Sequence, residues 1–308
     1  MTAVLTAFLC LSAGAQNLTG TYMYAQRDKC DLYLDVYDPV PDAELTHKSI
    51  TKPTLLFVHG GGFVGGYRSS ERYFPWFKTL NENGYKVITI DYRFGLKGVK
   101  MDFGPIGQIK TALNTIKAEY MGVEDLFSAV EYIIANQDAL GIDPENIVLA
   151  GNSSGAIVSL AAELSICNQD PYAAVLPEGF NFKGLISFAG AIVGKHGTPK
   201  YKRAPCPTLL MHGTADNTVQ YRKTQVLNLG LWGTDVLAAL YKKNGYPYCV
   251  YRYHEHQHDI ADNYFALWPV QKEFLEKNIM EGWLRIVDVY VDDPSVPRWE
   301  AATLDSLY

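Results

Sequence analysis

Ser153 stands at the centre of Gly151-Asn152-Ser153-Ser154-Gly155, directly behind the apolar run Asn146-Ile147-Val148-Leu149-Ala150 and ahead of the apolar stretch from Ala156 to Leu164. A strand, a sharp turn and a helix in that order put a serine at the apex, with its hydroxyl pushed clear of the sheet. Glycines two positions to either side relieve the crowding of so tight a turn. A hydroxyl held this way is a candidate nucleophile toward a carbonyl carbon. At neutral pH it is a poor one until a histidine takes its proton and a carboxylate holds that histidine in the right tautomer.

Two later segments carry groups of that kind. The run Thr208 to Met211 leads into His212-Gly213-Thr214-Ala215-Asp216, and Cys249 to Tyr253 leads into His254-Glu255-His256-Gln257-His258-Asp259. In an open α/β sheet, functional groups gather on loops at the carboxyl ends of strands, so Asp216 and a histidine fall on the same edge as Ser153. An upstream strand, Pro53 to Val58, runs into His59-Gly60-Gly61-Gly62, a loop with almost no side-chain bulk. Such a loop lets backbone N–H groups approach a developing oxyanion. The alternation His254, His256, His258 admits a different chemistry, because alternate residues of an extended segment face one way and three imidazoles suit zinc.

The elements that must position these groups alternate along the chain. Cys30 to Tyr37 reads as a half-exposed strand, Tyr85 to Arg93 as a buried one, and Gly184 to Ala189 as another. Leu126, Ala129, Val130, Ile133 and Ile134 recur at helical spacing, and helices are expected near Asp235 to Lys243 and Asn263 to Lys277. The pattern predicts an α/β fold with a mostly parallel central sheet and helices on both faces. Residues 94–123 exceed an ordinary connection and are expected as a lid or pocket wall, with a helix around Ile109 to Tyr120. Phe63, Tyr67, Tyr73, Phe74 and Trp76 read first as core and second as an apolar pocket. Residues 285–308 lack periodicity and are expected as an irregular C-terminal extension.

The chain has 308 residues, 48% hydrophobic and 19% charged, which fits one globular catalytic domain over residues 16–284. A formal net charge of −6 argues against nucleic acid as a partner, and no basic stretch suits an anionic membrane surface. Ala3 to Leu11 is apolar and is followed by Ser12-Ala13-Gly14-Ala15, so residues 1–15 read as a secretory signal peptide, too short to span a bilayer. That reading predicts a secreted or periplasmic protein without stable membrane insertion. It leaves Cys30, Cys167, Cys206 and Cys249; the thiols of Cys206 and Cys249 meet if their strands are neighbours, and otherwise stay free. The absence of a C-x-x-C pair disfavours a zinc knuckle.

With these four pieces in order, the chain resembles the α/β-hydrolase superfamily and, within it, secreted bacterial carboxylesterases akin to the hormone-sensitive-lipase-like group. The resemblance runs from about Asp31 to Lys277 and includes His59-Gly60-Gly61-Gly62-Phe63, Asp91-Tyr92-Arg93, the elbow at Ser153, His212-Gly213-Thr214-Ala215-Asp216, and His258-Asp259. It implies Ser153 as nucleophile, Asp216 as acid and His258 as base, with the backbone N–H groups of Gly61, Gly62 and Ser154 as the oxyanion hole. His59 is implied to be structural. The chain departs from that group in carrying Asn152 where Asp or Glu is usual before the nucleophile, and in lacking a large cap ahead of His59. The implied activity is hydrolysis of a small-molecule or carbohydrate-linked carboxylic ester through an acyl-enzyme, with no metal or organic cofactor. Lipase or peptidase chemistry on the same fold, a metal-dependent hydrolase built on His254, His256 and His258, and a non-catalytic binding protein are the alternatives.

Overall fold

A computed structural model describes residues 17–41, 51–100, 104 and 107–299. The expected signal peptide at 1–15 lies outside the described residues.

The chain opens with a hairpin, β1 (Leu18–Arg27) and β2 (Cys30–Tyr37), turned through Asp28 and Lys29. Both turn residues have positive φ, at 49° and 66°, as the tight turn whose twist matches paired strands requires. There follow β3 (Thr54–Val58), α1 (Phe74–Glu82), β4 (Lys86–Ile90), α2 (Gly107–Ala135), the short α3 (Gln137–Leu140), β5 (Ile147–Asn152) and α4 (Ser154–Asn168). The second half holds β6 (Gly184–Phe188), β7 (Ala191–Gly194), β8 (Thr208–Gly213), β9 (Lys223–Val226), β10 (Leu229–Gly233), α5 (Thr234–Asn244), β11 (Tyr248–Tyr253), α6 (Trp268–Glu273) and β12 (Ile286–Val291).

Nine strands form one sheet in the order β1-β2-β4-β3-β5-β6-β8-β11-β12. From β4 to β12 every neighbouring pair is parallel, and β2 joins β4 and β1 antiparallel. The inner strands are buried throughout, which explains why they read as continuous apolar runs rather than as alternation. Along β3 the side chains still alternate between two cores. Leu56 and Val58 join Leu126, Val130, Val158 and Leu237 of α2, α4 and α5 on one face, while Leu55 and Phe57 join Trp76, Phe77 and Phe274 on the other.

Four sequence expectations change. The segment read as two helices is one helix of 29 residues, α2. Gly122 lies within it where α2 and α4 touch: a Cβ on it would lie 2.6 Å from Val158 Cγ2 of α4. The tail is not wholly irregular, because Ile286–Val291 pairs in parallel register with β11 as an edge strand. The helix expected from Asn263 begins only at Trp268, with Pro269 in its first turn, and then opens into a π-helical turn, Phe274–Met280. Finally, β8 and β11 are neighbours, yet Cys206 packs in one core and Cys249 in the other, on opposite faces of the sheet. Their sulfurs do not meet, and Cys30, Cys167, Cys206 and Cys249 are free thiols.

A second, antiparallel sheet in the order β7-β10-β9 was not foreseen. It packs on α2 and α4 above the carboxyl edge of the main sheet.

Candidate active site

Ser153 joins the end of β5 to the start of α4 with φ 51° and ψ −123°, a conformation costing a non-glycine residue about 1–3 kcal/mol. The surroundings hold it there. Its N–H donates to the Phe188 carbonyl at 2.9 Å, and its carbonyl accepts from Ile157 N at 3.0 Å. The flanking glycines have no substitute: a Cβ on Gly155 would stand 2.0 Å from the Val58 carbonyl oxygen, and one on Gly151 would stand 2.5 Å from that of Gly155.

The three polar side chains named from sequence lie together. His258 Nε2 is 2.8 Å from Ser153 Oγ, and His258 Nδ1 is 2.7 Å from Asp216 Oδ2. All three residues are buried to within a few per cent of their surface. Asp216 Oδ1 accepts from the backbone N–H groups of Thr218 (2.8 Å) and Val219 (3.0 Å), closing the turn after β8. Burial pushes this carboxyl up, but the imidazole of His258 and hydrogen bonds from His212 and His258 outweigh it, leaving Asp216 well below the usual carboxylate range. It is a fixed anion.

The three alternating histidines after β11 divide. His254 is half-exposed beside Glu255, His256 Nδ1 bonds Asp259 Oδ2 at 2.6 Å, and only His258 reaches Ser153. Glu255 takes a positive φ of 55°, so the segment leaves β11 in a turn and its alternate side chains cease to share a face. This corrects the zinc reading. Among the described residues no group of three or more His, Cys, Asp or Glu side chains is placed to hold a metal ion. His59 is wholly buried, its ring 4.8 Å from that of Tyr92, and burial lowers its pKa to about 4 despite the bond to the Gly60 carbonyl. It is a neutral residue at ordinary pH.

The glycine loop turns back on itself after His59. Gly61 has φ 134° and Gly62 φ 62°, and a Cβ on Gly61 would stand 2.0 Å from the Gly65 carbonyl oxygen. Gly62 and Ser154 line the same cleft as Ser153. That cleft holds about 380 Å³ and runs between α2, through Gln108, Ile109 and Ala112, and the β9–β10 hairpin, through Val226, Leu229 and Leu231. Among the described residues, none of the side chains lining it is charged. Residues 107–115 therefore form one wall, whereas Tyr73 and Trp76 pack with Phe57 and Tyr264 in the core and Tyr67 faces solvent.

Sequence reasoning missed three contributors. His212 Nε2 approaches Asp216 Oδ2 at 3.1 Å and the Val219 carbonyl at 3.0 Å, while its Nδ1 meets the Thr234 hydroxyl at 2.9 Å. Asn152 Oδ1 accepts from Gly60 N at 2.6 Å. The hairpin was invisible, although the glycines at 230 and 233 and the Leu227-Asn228 step hint at a turn.

Residues 6–194 match the carboxylesterase family. Among curated relatives, the chain is 28% identical over 152 residues to the para-nitrobenzyl esterase of Bacillus subtilis (strain 168), covering 49% of this chain and 27% of that protein. It is 29% identical over 151 residues to mouse neuroligin-2, covering 44% of this chain and 16% of that protein. The chain thus spans only a minor part of the length of these relatives. In three dimensions it is similar to esterase 2 of Thermogutta terrifontis, with TM-score 0.59, 20% identity, and coverage of 87% of this chain and 94% of that one. The likeness fits a mixed α/β fold with a large, mostly parallel sheet. The chain belongs to the carboxylesterase family.

Proposed function

We propose that this chain is a serine esterase that hydrolyses uncharged carboxylic esters, and the observation that carries the reading is the Ser153–His258–Asp216 relay of 2.8 and 2.7 Å on the wall of an uncharged cleft. In this reading Ser153 Oγ attacks the ester carbonyl carbon while His258 Nε2 takes the hydroxyl proton. Asp216 keeps the opposite ring nitrogen protonated and offsets the charge of the imidazolium. The carbonyl oxygen becomes an oxyanion, for which the N–H groups of Gly61, Gly62 and Ser154 are the proposed donors. Collapse of the tetrahedral species breaks the C–O bond to the alcohol, which leaves with the proton from His258. Water, deprotonated by the same imidazole, then releases the acid and restores Ser153.

The cleft favours this class of substrate on charge. An anionic or cationic group entering it would lose hydration and meet no counter-charge. No helix among the described residues is long and apolar enough to cross a membrane. The apolar opening stretch supports a secreted or periplasmic setting for the enzyme.

The test is a series of p-nitrophenyl esters assayed with the parent and Ser153→Ala, together with mass mapping of a fluorophosphonate adduct. Loss of roughly 10⁴-fold or more in kcat, with the adduct on Ser153, is the expected result. Unchanged turnover in Ser153→Ala would reject the reading.

A further inference from the structure

We infer that Asn152 is a positioning residue that locks the oxyanion loop, the nucleophile elbow and the histidine turn to one another through a single neutral amide. The inference rests on the serine-esterase reading and adds a residue that touches none of the reacting atoms.

Asn152 is the last residue of β5, directly before Ser153, and is 2% exposed. Its Oδ1 accepts the N–H of Gly60 at 2.6 Å, immediately ahead of Gly61 and Gly62. Its Nδ2 donates toward Asp262 Oδ1 at 3.5 Å. Asp262 closes the helical turn His258–Asp262 that begins with His258. It is itself held by the Tyr264 hydroxyl at 3.1 Å and approached by the Arg72 guanidinium at 3.7 Å. One side chain thus reaches all three segments.

The loop and the elbow meet closely enough to make this bond specific. A Cβ on Gly60 would lie 2.9 Å from Asn152 Nδ2, 3.0 Å from its carbonyl oxygen and 3.1 Å from Ser153 Cβ. A side chain on Gly60 would crowd Asn152 and Ser153, so the loop has little bulk of its own with which to fix its height above the serine. The bond to Asn152 fixes it. An attacked ester is bonded to Ser153, faces His258 and directs its oxyanion at the loop. Errors of about 1 Å among those three cost on the order of 100-fold in rate.

The amide also explains why a carboxylate, usual here in the group that the sequence resembles, is absent. A carboxylate could accept from Gly60 N–H, but it has no hydrogen to give, and it would face Asp262 at 3.5 Å as a like charge. A neutral donor-acceptor pair satisfies both neighbours. It also leaves Asp216 as the anion that sets the state of His258.

Three variants test this: Asn152→Ala, Asn152→Leu and Asn152→Asp, each measured on a p-nitrophenyl ester beside Ser153→Ala. Asn152→Ala and Asn152→Leu are expected to lower kcat roughly 10- to 100-fold, with KM within about threefold of the parent. Inhibition by a trifluoromethyl ketone, which forms the tetrahedral adduct, should weaken by a similar factor. A residue that only supports packing would not move those two quantities together. Asn152→Asp keeps the acceptor for Gly60 but loses the donor to Asp262, so its kcat should fall between that of the parent and that of Asn152→Ala. The added carboxylate holds a proton on His258 longer, so the acid limb of its kcat/KM profile moves to higher pH.

Should either apolar variant fail to fold, Asn152→Asp, which differs from the parent by one atom, still gives the profile. Parental kcat in Asn152→Ala and Asn152→Leu, or a profile of Asn152→Asp that overlays the parent's, overturns the inference while Ser153→Ala remains inactive. Activity in Ser153→Ala would instead remove the esterase reading on which it rests.

Discussion

His212 and His258 converge on the same oxygen: Asp216 Oδ2 lies 3.1 Å from His212 Nε2 and 2.7 Å from His258 Nδ1. The two rings are held in opposite tautomers. His212 Nδ1 accepts from the Thr234 hydroxyl, which leaves Nε2–H for Asp216, whereas His258 turns Nδ1–H toward it and faces Ser153 Oγ with Nε2. With both backbone donors on Oδ1, the carboxylate is saturated and cannot rotate.

Replacing His212 by Asn should therefore reduce kcat/KM roughly 10- to 100-fold, the value of one hydrogen bond to a charged group. Thr234→Val, which removes only the hydroxyl that sets the ring's tautomer, should cost roughly 2- to 10-fold. Steady-state kinetics on one ester, with melting curves to show that both variants fold, decides the matter. Parental kinetics in His212→Asn would mean that the backbone donors alone hold Asp216.

Buried carboxyls in this fold give opposite pH signatures. Asp216 is held below its ordinary value, so its contribution to stability is present above about pH 4 and is lost as the pH falls toward its folded pKa. The stability gap between the parent and Asp216→Asn should close as the pH drops below that point. Glu119 and Glu163 are pushed up by burial, only partly offset by bonds from Val193 N–H to one and from Cys206 N–H and Cys167 to the other. Their neutral forms suit the fold, and that stability is lost as the pH rises above about 4.3. Glu119→Gln and Glu163→Gln should gain on the parent between pH 5 and 8. Urea denaturation across the range measures all three, and parallel curves would contradict the assignment.

Selectivity should follow the two walls of the cleft. Ala112 on α2 and Leu231 on β10 both line it, so a tryptophan at either place removes room for an apolar group without touching Ser153. The ratio of kcat/KM for p-nitrophenyl hexanoate to that for the acetate should fall roughly tenfold or more. Equal ratios in the parent and both variants would place the variable part of the substrate elsewhere.

Thiol chemistry offers a test of the sheet arrangement. Cys30 is exposed, whereas Cys167, Cys206 and Cys249 are buried. Burial raises the thiols of the latter three, that of Cys249 to about 11, so their thiolate fraction is small. Iodoacetamide should label Cys30 in the native protein and the other three only after unfolding, without a reductant. Protection of Cys206 and Cys249 in unfolded, unreduced protein would show a bridge between them.

The convergence of Ser153, Asp216 and His258 was legible because each sits in a loop directly after a strand whose apolar run is unmistakable, and the chain has few such places. The supporting residues were not, for a physical reason. Asn152 and His212 lie within strands, at positions where sequence shows only a polar residue in an apolar run; Gly60 is 92 residues from Asn152, and although Asp216 is only four residues from His212, the Thr234 hydroxyl that orients the ring is 22 away. The β9–β10 hairpin escaped notice because Lys223–Val226 is exposed at every residue, so no alternation marks it as a strand.

The separation of 105 residues between Ser153 and His258 has a consequence for biosynthesis. At about 5–20 residues per second, the ribosome takes roughly 5–20 s to progress from the serine to its imidazole. During that interval the emerging polypeptide already carries the proposed nucleophile and the proposed oxyanion glycines, yet lacks the imidazole proposed as their proton acceptor. On the proposed reading, a nascent chain holds no complete relay until translation is well advanced.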